Sequence, residues 1–453
     1  MDRLLFRLAH ALFASLSALP SLNKSSGRAQ RLPAAGRGRP WQRLTALGIA
    51  SGIAGCAWAQ KTLTWDEAKR EFEASNPTLL ARRIEVQESR AQEITAYLRP
   101  NPDLTFSLDQ LTPFTGDPYR PLGNALPLIS GSYLIERRHK RPLRLESARQ
   151  ATAIAESDLA DQNRTLLYQL RGAFVQVLQQ KAVVSIARES LQYYDQVLHV
   201  SRDRLQAGDI APVELDRLEL QRVQFETDLQ TAIVNLRTAK IQLLMLLNDR
   251  TPPDQFDVAG RFDFSETLIP LQELRQAALD TRPDLAAAVQ SVAKAKVDHQ
   301  LAVANGSTDP VAGFDLARDP PIPAFIGVSV TIPLRIFDRN QGEKARTQLD
   351  IGRNARLADA ARAQVLSDID SAYAVLQSNL TLLRPYRSRY LDQAVRVRDI
   401  ISFAYQHGGA SLLDFLQAQQ DYRGIQLSYL NLIGAYLASA NQVNLAVGRE
   451  VIQ

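Results

Sequence analysis

The sequence predicts an α+β protein in which very long helices alternate with pairs of short strands, the plan being used twice along the chain. Three observations carry this. From Ala324 to Leu334, Ile326, Val328, Val330, Ile332 and Leu334 face one way, and Gly327, Ser329 and Thr331 the other. A period of two with one apolar face is a β-strand. Beyond Asn340-Gln341-Gly342 the pattern becomes a long helix, and this strand-into-helix unit has an earlier partner: Ser132 to Glu136, then Arg137 to Arg144 and another long helix. Finally, the helical stretches carry coiled-coil seams. Leu167, Leu170, Phe174 and Val177 step by three and four, as do Leu191, Tyr194 and Leu198, and Leu229, Ile233, Leu236, Leu243 and Leu247 follow the same seam. An ordinary antiparallel bundle would explain the seams equally well, but not the strands.

The 453 residues are 45% hydrophobic and 22% charged, with a formal net charge of +5. That balance excludes a chain dominated by lipid-facing helices, and no segment after the N-terminus is apolar for long enough to form a transmembrane helix. Any crossing of a membrane is made with strands. Part of the positive charge precedes Lys61, and no basic domain with interleaved aromatics follows, so nucleic acid is not an expected partner.

The N-terminus reads as a targeting segment. Arg37, Arg39 and Arg43 precede the apolar run Leu44 to Ala57, which ends in the small-x-small pattern Ala57-Trp58-Ala59 and places a cut after Ala59. A competing reading is acylation at Cys56, the only cysteine, which follows Ile53-Ala54-Gly55. Either way the mature chain is exported and has no disulfide. Segment 1–59 is thus set apart from a first repeat, 60–260, and a second, 261–453.

Each repeat follows one order. Thr64-Trp65-Asp66-Glu67 is a capping box, and Asn76-Pro77 restarts the helix with an N-cap and a proline in its first turn. Pro100 and Pro102 end it. Strands at about 103–110 and 128–136 flank a Pro/Gly-rich connector, Leu111 to Pro127. Helices from about Leu145 to Gln206 and from Pro212 to Leu247 follow, separated by Gly208. The second half repeats this, with a helix from Leu271 to Thr281, a restart at Arg282-Pro283-Asp284, and an end near Asn305-Gly306. Strands at about 311–317 and 324–334 lead to a long helix to Gln406, a turn at His407-Gly408-Gly409, and a helix from Ser411 to Val447. A period of about two hundred residues marks an internal tandem duplication.

Four strands with one apolar face make two hairpins, and open strand edges are not tolerated in lipid. A symmetric oligomer that pools strands into a closed sheet solves this. Its polar face (Thr105, Ser107, Asp109, Ser329, Thr331) lines a wet lumen. A water-soluble sandwich is the alternative.

Ile332-Pro333-Leu334-Arg335-Ile336-Phe337-Asp338-Arg339-Asn340-Gln341-Gly342 resembles a characteristic stretch of the TolC family of outer-membrane efflux channels, in particular its cobalt–zinc–cadmium branch. Arg282-Pro283-Asp284-Leu285, Leu205-Gln206-Ala207-Gly208-Asp209 and Tyr405 to Asp414 carry the same resemblance, which spans Leu63 to Gly448. Each motif is weak alone; their order, spacing and duplication are specific. One departure stands out. Where relatives have two glycines, this chain reads Glu136-Arg137-Arg138-His139-Lys140-Arg141, which removes the residues best suited to a sharp strand-to-helix bend.

The resemblance implies an α+β membrane protein: a homotrimer whose chains each give four strands to a twelve-stranded outer-membrane barrel, continued by a coiled-coil α-helical tunnel across the periplasm. It implies docking to a periplasmic adaptor (a membrane fusion protein) and an inner-membrane RND pump, with no cofactor and no catalysis. Gly208, Asp209, Gly408 and Gly409 become the tips that an adaptor touches. Glu214 and Asp414, each six residues beyond a tip glycine, become carboxylate rings at the narrowest point, which attract cations. Asp414 matches the family's gate aspartate, whereas a second aspartate is replaced by Gln417. Asp216, Glu219 and Asp421 are lesser candidates, and solvated helix-end charge explains all of these acids too. The five histidines (His10, His139, His199, His299, His407) are scattered and form no metal site. Three functions remain open: a duct for heavy-metal cations, a duct for drugs or other organic molecules, and a periplasmic coiled-coil adaptor without a pore.

Overall fold

The computed structural model describes residues 61–111, 122, 125–266, 268–319 and 321–452. The expected targeting segment, with its alternative cleavage and acylation points at Ala59 and Cys56, lies outside them, as does most of the connector before Pro127. The elements are β1 (Lys61–Leu63), α1 (Trp65–Ser75), α2 (Pro77–Tyr97), β2 (Asp103–Asp109), β3 (Leu126–Leu134), α3 (Lys140–Ala207), α4 (Pro212–Leu247), β4 (Phe256–Val258), α5 (Leu271–Thr281), α6 (Pro283–Asn305), β5 (Val311–Ala317), β6 (Phe325–Thr331), α7 (Gln341–Pro385), α8 (Leu391–Gln406) and α9 (Leu412–Val447).

Local chemistry sets most boundaries. Glu67 accepts the Thr64 N–H at 2.8 Å, and Asn76 Oδ1 accepts the Leu79 N–H at 3.1 Å. Pro77, Pro212 and Pro283 open their helices where no backbone donor is needed. At 1.5 Å per residue, the 68 residues of α3 extend about 100 Å, far beyond a compact domain. The expected continuous helix to Gln406 is interrupted by a π turn at Tyr386–Tyr390. Pro385 lies immediately before it and removes one rung of the hydrogen-bond ladder.

The four longer strands form one antiparallel sheet in the order β2-β3-β5-β6. The two expected hairpins are therefore joined within the chain, with β3 paired to β5 from Leu128↔Ala317 to Leu134↔Val311. The helices explain the junction. α2, α3, α6 and α7 pack in sequence against one another, so each strand meets its neighbour below helices that are already adjacent. β3 starts and ends two residues earlier than its alternation suggested. Pro127 is tolerated at its end, offering its carbonyl to the Arg318 N–H. β6 stops at Thr331, three residues short of Leu334, because its partner β5 begins opposite at Val311. A second, two-stranded parallel sheet pairs β1 with β4. Three-residue strands carry too little periodicity to be read in advance.

The strand-to-helix bend survives the missing glycines. Arg138 and His139 both adopt the left-handed conformation, with φ of 58° and 57°. Such a backbone costs a non-glycine residue about 1 kcal/mol or more and persists only when its surroundings fix it. Here Lys140, 5% exposed, pairs with Asp309 at 2.5 Å and donates to the Ser307 carbonyl at 3.0 Å. Glu136, expected in the strand, instead accepts from both terminal guanidinium nitrogens of Arg144.

Candidate functional site: a two-faced sheet and paired helical tips

Strand register sorts the sheet into two faces. Phe106, Ile129, Leu316 and Ile326 stand side by side across all four strands. The next row on that face is Leu104, Gly131, Phe314 and Val328, and the row after it contains Tyr133, Ala312 and Val330. The opposite face carries Thr105, Ser130, Asp315 and Gly327, then Asp103, Ser132, Gly313 and Ser329. Val328 is 87% exposed and Phe106 62% exposed in the single chain. A continuous apolar band backed by a polar one is the pattern of a barrel wall between lipid and water. At Gly131 the Phe314 ring lies over the backbone, so a Cβ there would force the ring aside. Thr105, Ser107, Asp109, Ser329 and Thr331 share the polar side. Asp315, Ser130 and Ser132 also belong to it but were not singled out, although a charged residue within a strand was a readable signal.

At the far end of the helices the two hairpin turns come together. Gly208 and Gly408 are left-handed, with φ of 81° and 78°, and reverse the chain after α3 and α8. Asp209 N–H reaches the Arg204 carbonyl at 2.8 Å, and Gly409 N–H reaches Ala404 at 2.7 Å, closing both helix ends. One buried cluster joins the hairpins: Tyr194, Leu198, Leu218 and Phe225 from the first, Tyr405, Leu412 and Phe415 from the second. Arg204 lies across this junction, donating to the Tyr405 carbonyl at 2.8 Å. Neither Arg204 nor the aromatic stack was anticipated.

The carboxylates divide. Asp414 is exposed and closes a capping box, its Oδ2 accepting from the Ser411 hydroxyl at 2.7 Å and the Ser411 N–H at 3.2 Å. Those bonds hold its carboxyl below the usual range. Glu214 is half-buried in the first turn of α4. Burial is the main reason the Tyr405 phenol is pushed above its ordinary value, and the Glu214 charge adds to the effect. Glu214 thus acts electrostatically on the other hairpin. Glu219 is paired with Arg202 at 2.8 Å, Asp421 accepts from Gln417 at 2.8 Å, and Asp216 is exposed. Among the described residues no group of three His, Cys, Asp or Glu could hold a metal ion, and no helix is long and apolar enough to cross a membrane.

A sheet with one lipid-type and one water-type face, continued strand by strand into long helices, defines an outer-membrane channel of the barrel-and-tunnel class. No protein-family model matches the chain. The chain is 24% identical over 396 residues to the cobalt-zinc-cadmium resistance protein CzcC of Cupriavidus metallidurans, covering 85% of this chain and 90% of that one. It is 25% identical over 333 residues to the pyoverdine export outer membrane protein OpmQ of Pseudomonas aeruginosa, covering 71% and 69%. Among solved structures, CusC superposes with a TM-score of 0.72 at 18% identity over 88% of this chain and 96% of that one. In sequence the chain is similar to CzcC over most of both chains, and its fold is that of the channel CusC.

Proposed function

We propose that this protein is the outer-membrane channel of a tripartite efflux system that exports heavy-metal cations of the cobalt–zinc–cadmium type. The observation that supports the cargo is the similarity to CzcC over most of both chains. The two-faced sheet supports the duct. In this reading three copies close their β2 and β6 edges into one twelve-stranded barrel, whose polar face wets the lumen. Gly208, Asp209, Gly408 and Gly409 are the surface offered to a periplasmic adaptor, which couples the duct to an inner-membrane RND pump. Glu214 and Asp414 form threefold carboxylate rings that favour cations over anions. In this reading the cation is cargo that the pump selects, and no catalytic step is required of the channel.

The likeness to OpmQ favours a second reading, a duct for an organic molecule. Growth of a deletion strain on zinc, cobalt, cadmium, nickel and copper, beside dyes and detergents, separates the two. Sensitivity confined to divalent metals and restored by the gene is the expected result. Sensitivity to amphiphiles with normal metal tolerance would replace the first reading by the second.

A further inference from the structure

A cavity of about 460 Å³ opens where the sheet meets the helices, between the end of α2 and the start of α3. Its working surface is Arg99, Arg138, His139 and Arg141, with Tyr133 and Ile135 beside them. We propose that this cavity binds the phosphate headgroup of an anionic phospholipid in the periplasmic leaflet. The proposal rests on the outer-membrane placement of the duct.

Three features support it. The charge is uncompensated: the one carboxylate in the lining, Glu136, is already taken by Arg144, and among the described residues no carboxylate pairs with Arg99 or Arg138. The cavity borders the apolar face, because Tyr133 alternates with Gly131 and Ile129, and the Ile135 N–H extends the ladder to the Pro310 carbonyl at 2.9 Å. Acyl chains can therefore lie on the band while the headgroup reaches the arginines. The site is also built in advance. Arg141 is stacked over Tyr97 at 4.3 Å, and the left-handed Arg138 and His139 are fixed by the Lys140–Asp309 pair behind them. Planar guanidinium groups suit phosphate oxygens, and a volume of this size lies in the range of ordinary ligand pockets. The positive end of α3 points the same way.

The same arrangement at the extracellular rim would meet a different lipid. The helix end of the strands is the periplasmic side, which commits the site to a phospholipid.

Full-length protein in detergent is titrated with phosphatidylglycerol, phosphatidylethanolamine and inorganic phosphate, read by thermal melting and by native mass spectrometry. Phosphatidylglycerol is expected to bind and raise the melting temperature, with phosphatidylethanolamine and free phosphate ineffective at the same concentration. One basic side chain is worth about fivefold against an anionic lipid. Arg99→Gln should thus weaken binding about fivefold, and the Arg99→Gln, Arg138→Gln pair about 25-fold. Arg99 stands outside any helix or strand, so the single variant keeps the test valid if the pair folds poorly. Equal affinity of wild type and variants overturns the site, and an equal response to free phosphate overturns the lipid. Conductance of the same preparations in planar bilayers is read in parallel. A conducting protein without preference for phosphatidylglycerol leaves the duct intact and sinks only this proposal, whereas absence from the outer membrane sinks both.

Discussion

The Thr281 hydroxyl donates to the Val447 carbonyl at 2.6 Å, and Ser75 makes the same bond to Leu247, also at 2.6 Å. Beside each, the next residue adds a second donor: Arg282 to Ala446 at 3.3 Å and Asn76 to Leu246 at 2.9 Å. The last carbonyls of a helix lack intrahelical partners. Both repeats satisfy them in the same way, with the kink between their first two helices. The duplication is thus visible at the level of single hydrogen bonds, although Asn and Arg share no chemistry beyond a donor.

Arg282 carries more than its latch. Its side chain is 4% exposed and holds Asp284 at 2.5 Å and Asp368 at 2.8 Å. Removing one partner of a buried pair costs about 3–5 kcal/mol. Asp284 and Asp368 keep roughly a third of their surface in water, so Arg282→Met should lose about 3 kcal/mol, at the low end. Denaturant unfolding of the detergent-solubilised protein reads this, and an unchanged midpoint would refute it.

Acid should unfold the protein through these carboxylates. Burial pushes Asp284 and Asp309 up, but it is outweighed by the hydrogen bonds and charges of Arg282 and Lys140 together with backbone N–H donors and a second nearby arginine, which hold both below the ordinary carboxylate range. A depressed folded-state pKa gives stability that is present above the unfolded value of about 4 and is lost as pH falls through the folded one. Melting temperature should be level from neutral pH to about pH 5 and fall below that. Asp284→Asn and Asp309→Asn should each flatten the acid limb, and an equally steep limb in both variants would contradict the assignment.

The bend before α3 is strained at His139. His139→Gly should raise the melting temperature, since removing the Cβ relieves about 1 kcal/mol at φ 57°. His139→Val should lower it, because a β-branched residue fits this region worst. Matching melting curves for the two variants would mean that the bend carries no strain.

The tips separate stability from docking. A Cβ added at Gly208 or Gly408 meets nothing within 4 Å, so Gly208→Val and Gly408→Val suffer only from backbone strain. The expected phenotype is normal outer-membrane assembly with lost metal tolerance. Gly409→Ala, whose Cβ would sit 3.5 Å from the Ala404 carbonyl, should retain both. Survival assays beside membrane fractionation decide; full tolerance in the valine variants would remove these turns from the adaptor contact.

Asp414 has two candidate duties, ring charge and helix cap. Asp414→Asn changes both, whereas Ser411→Ala loses the hydroxyl cap, worth about 1 kcal/mol, and keeps the charge. In single-channel recordings Glu214→Gln and Asp414→Asn should lower cation selectivity, with Ser411→Ala near wild type. A loss of selectivity in Ser411→Ala equal to that in Asp414→Asn would leave the carboxylate a capping role only.

Much of this was legible because the chain punctuates itself. The bounds of α4, α5 and α6 follow from Pro212, Pro270 and Pro283 at their starts and from Asn248, Arg282 and Gly306 at their ends. The glycine turns were readable for the same reason. What stayed hidden depends on partners distant in sequence. β1 and β4 become strands only by pairing with each other, and the β3–β5 junction follows from α3 lying beside α6. Asp414 was visible as an acid, but its bond to Ser411 is a property of the folded turn.

The β1–β4 pair sets a timetable. Lys61 to Leu63, at the front of the described residues, align with Phe256 to Val258, nearly two hundred residues later. In a chain exported N-terminus first, the earliest strand waits unmated until the whole repeat has followed it. Closing so long a loop is slow, and an unpaired edge invites the wrong partner in the meantime. The β1–β4 pair needs only residues up to Val258, whereas β3 gains its second neighbour only once β5 has followed.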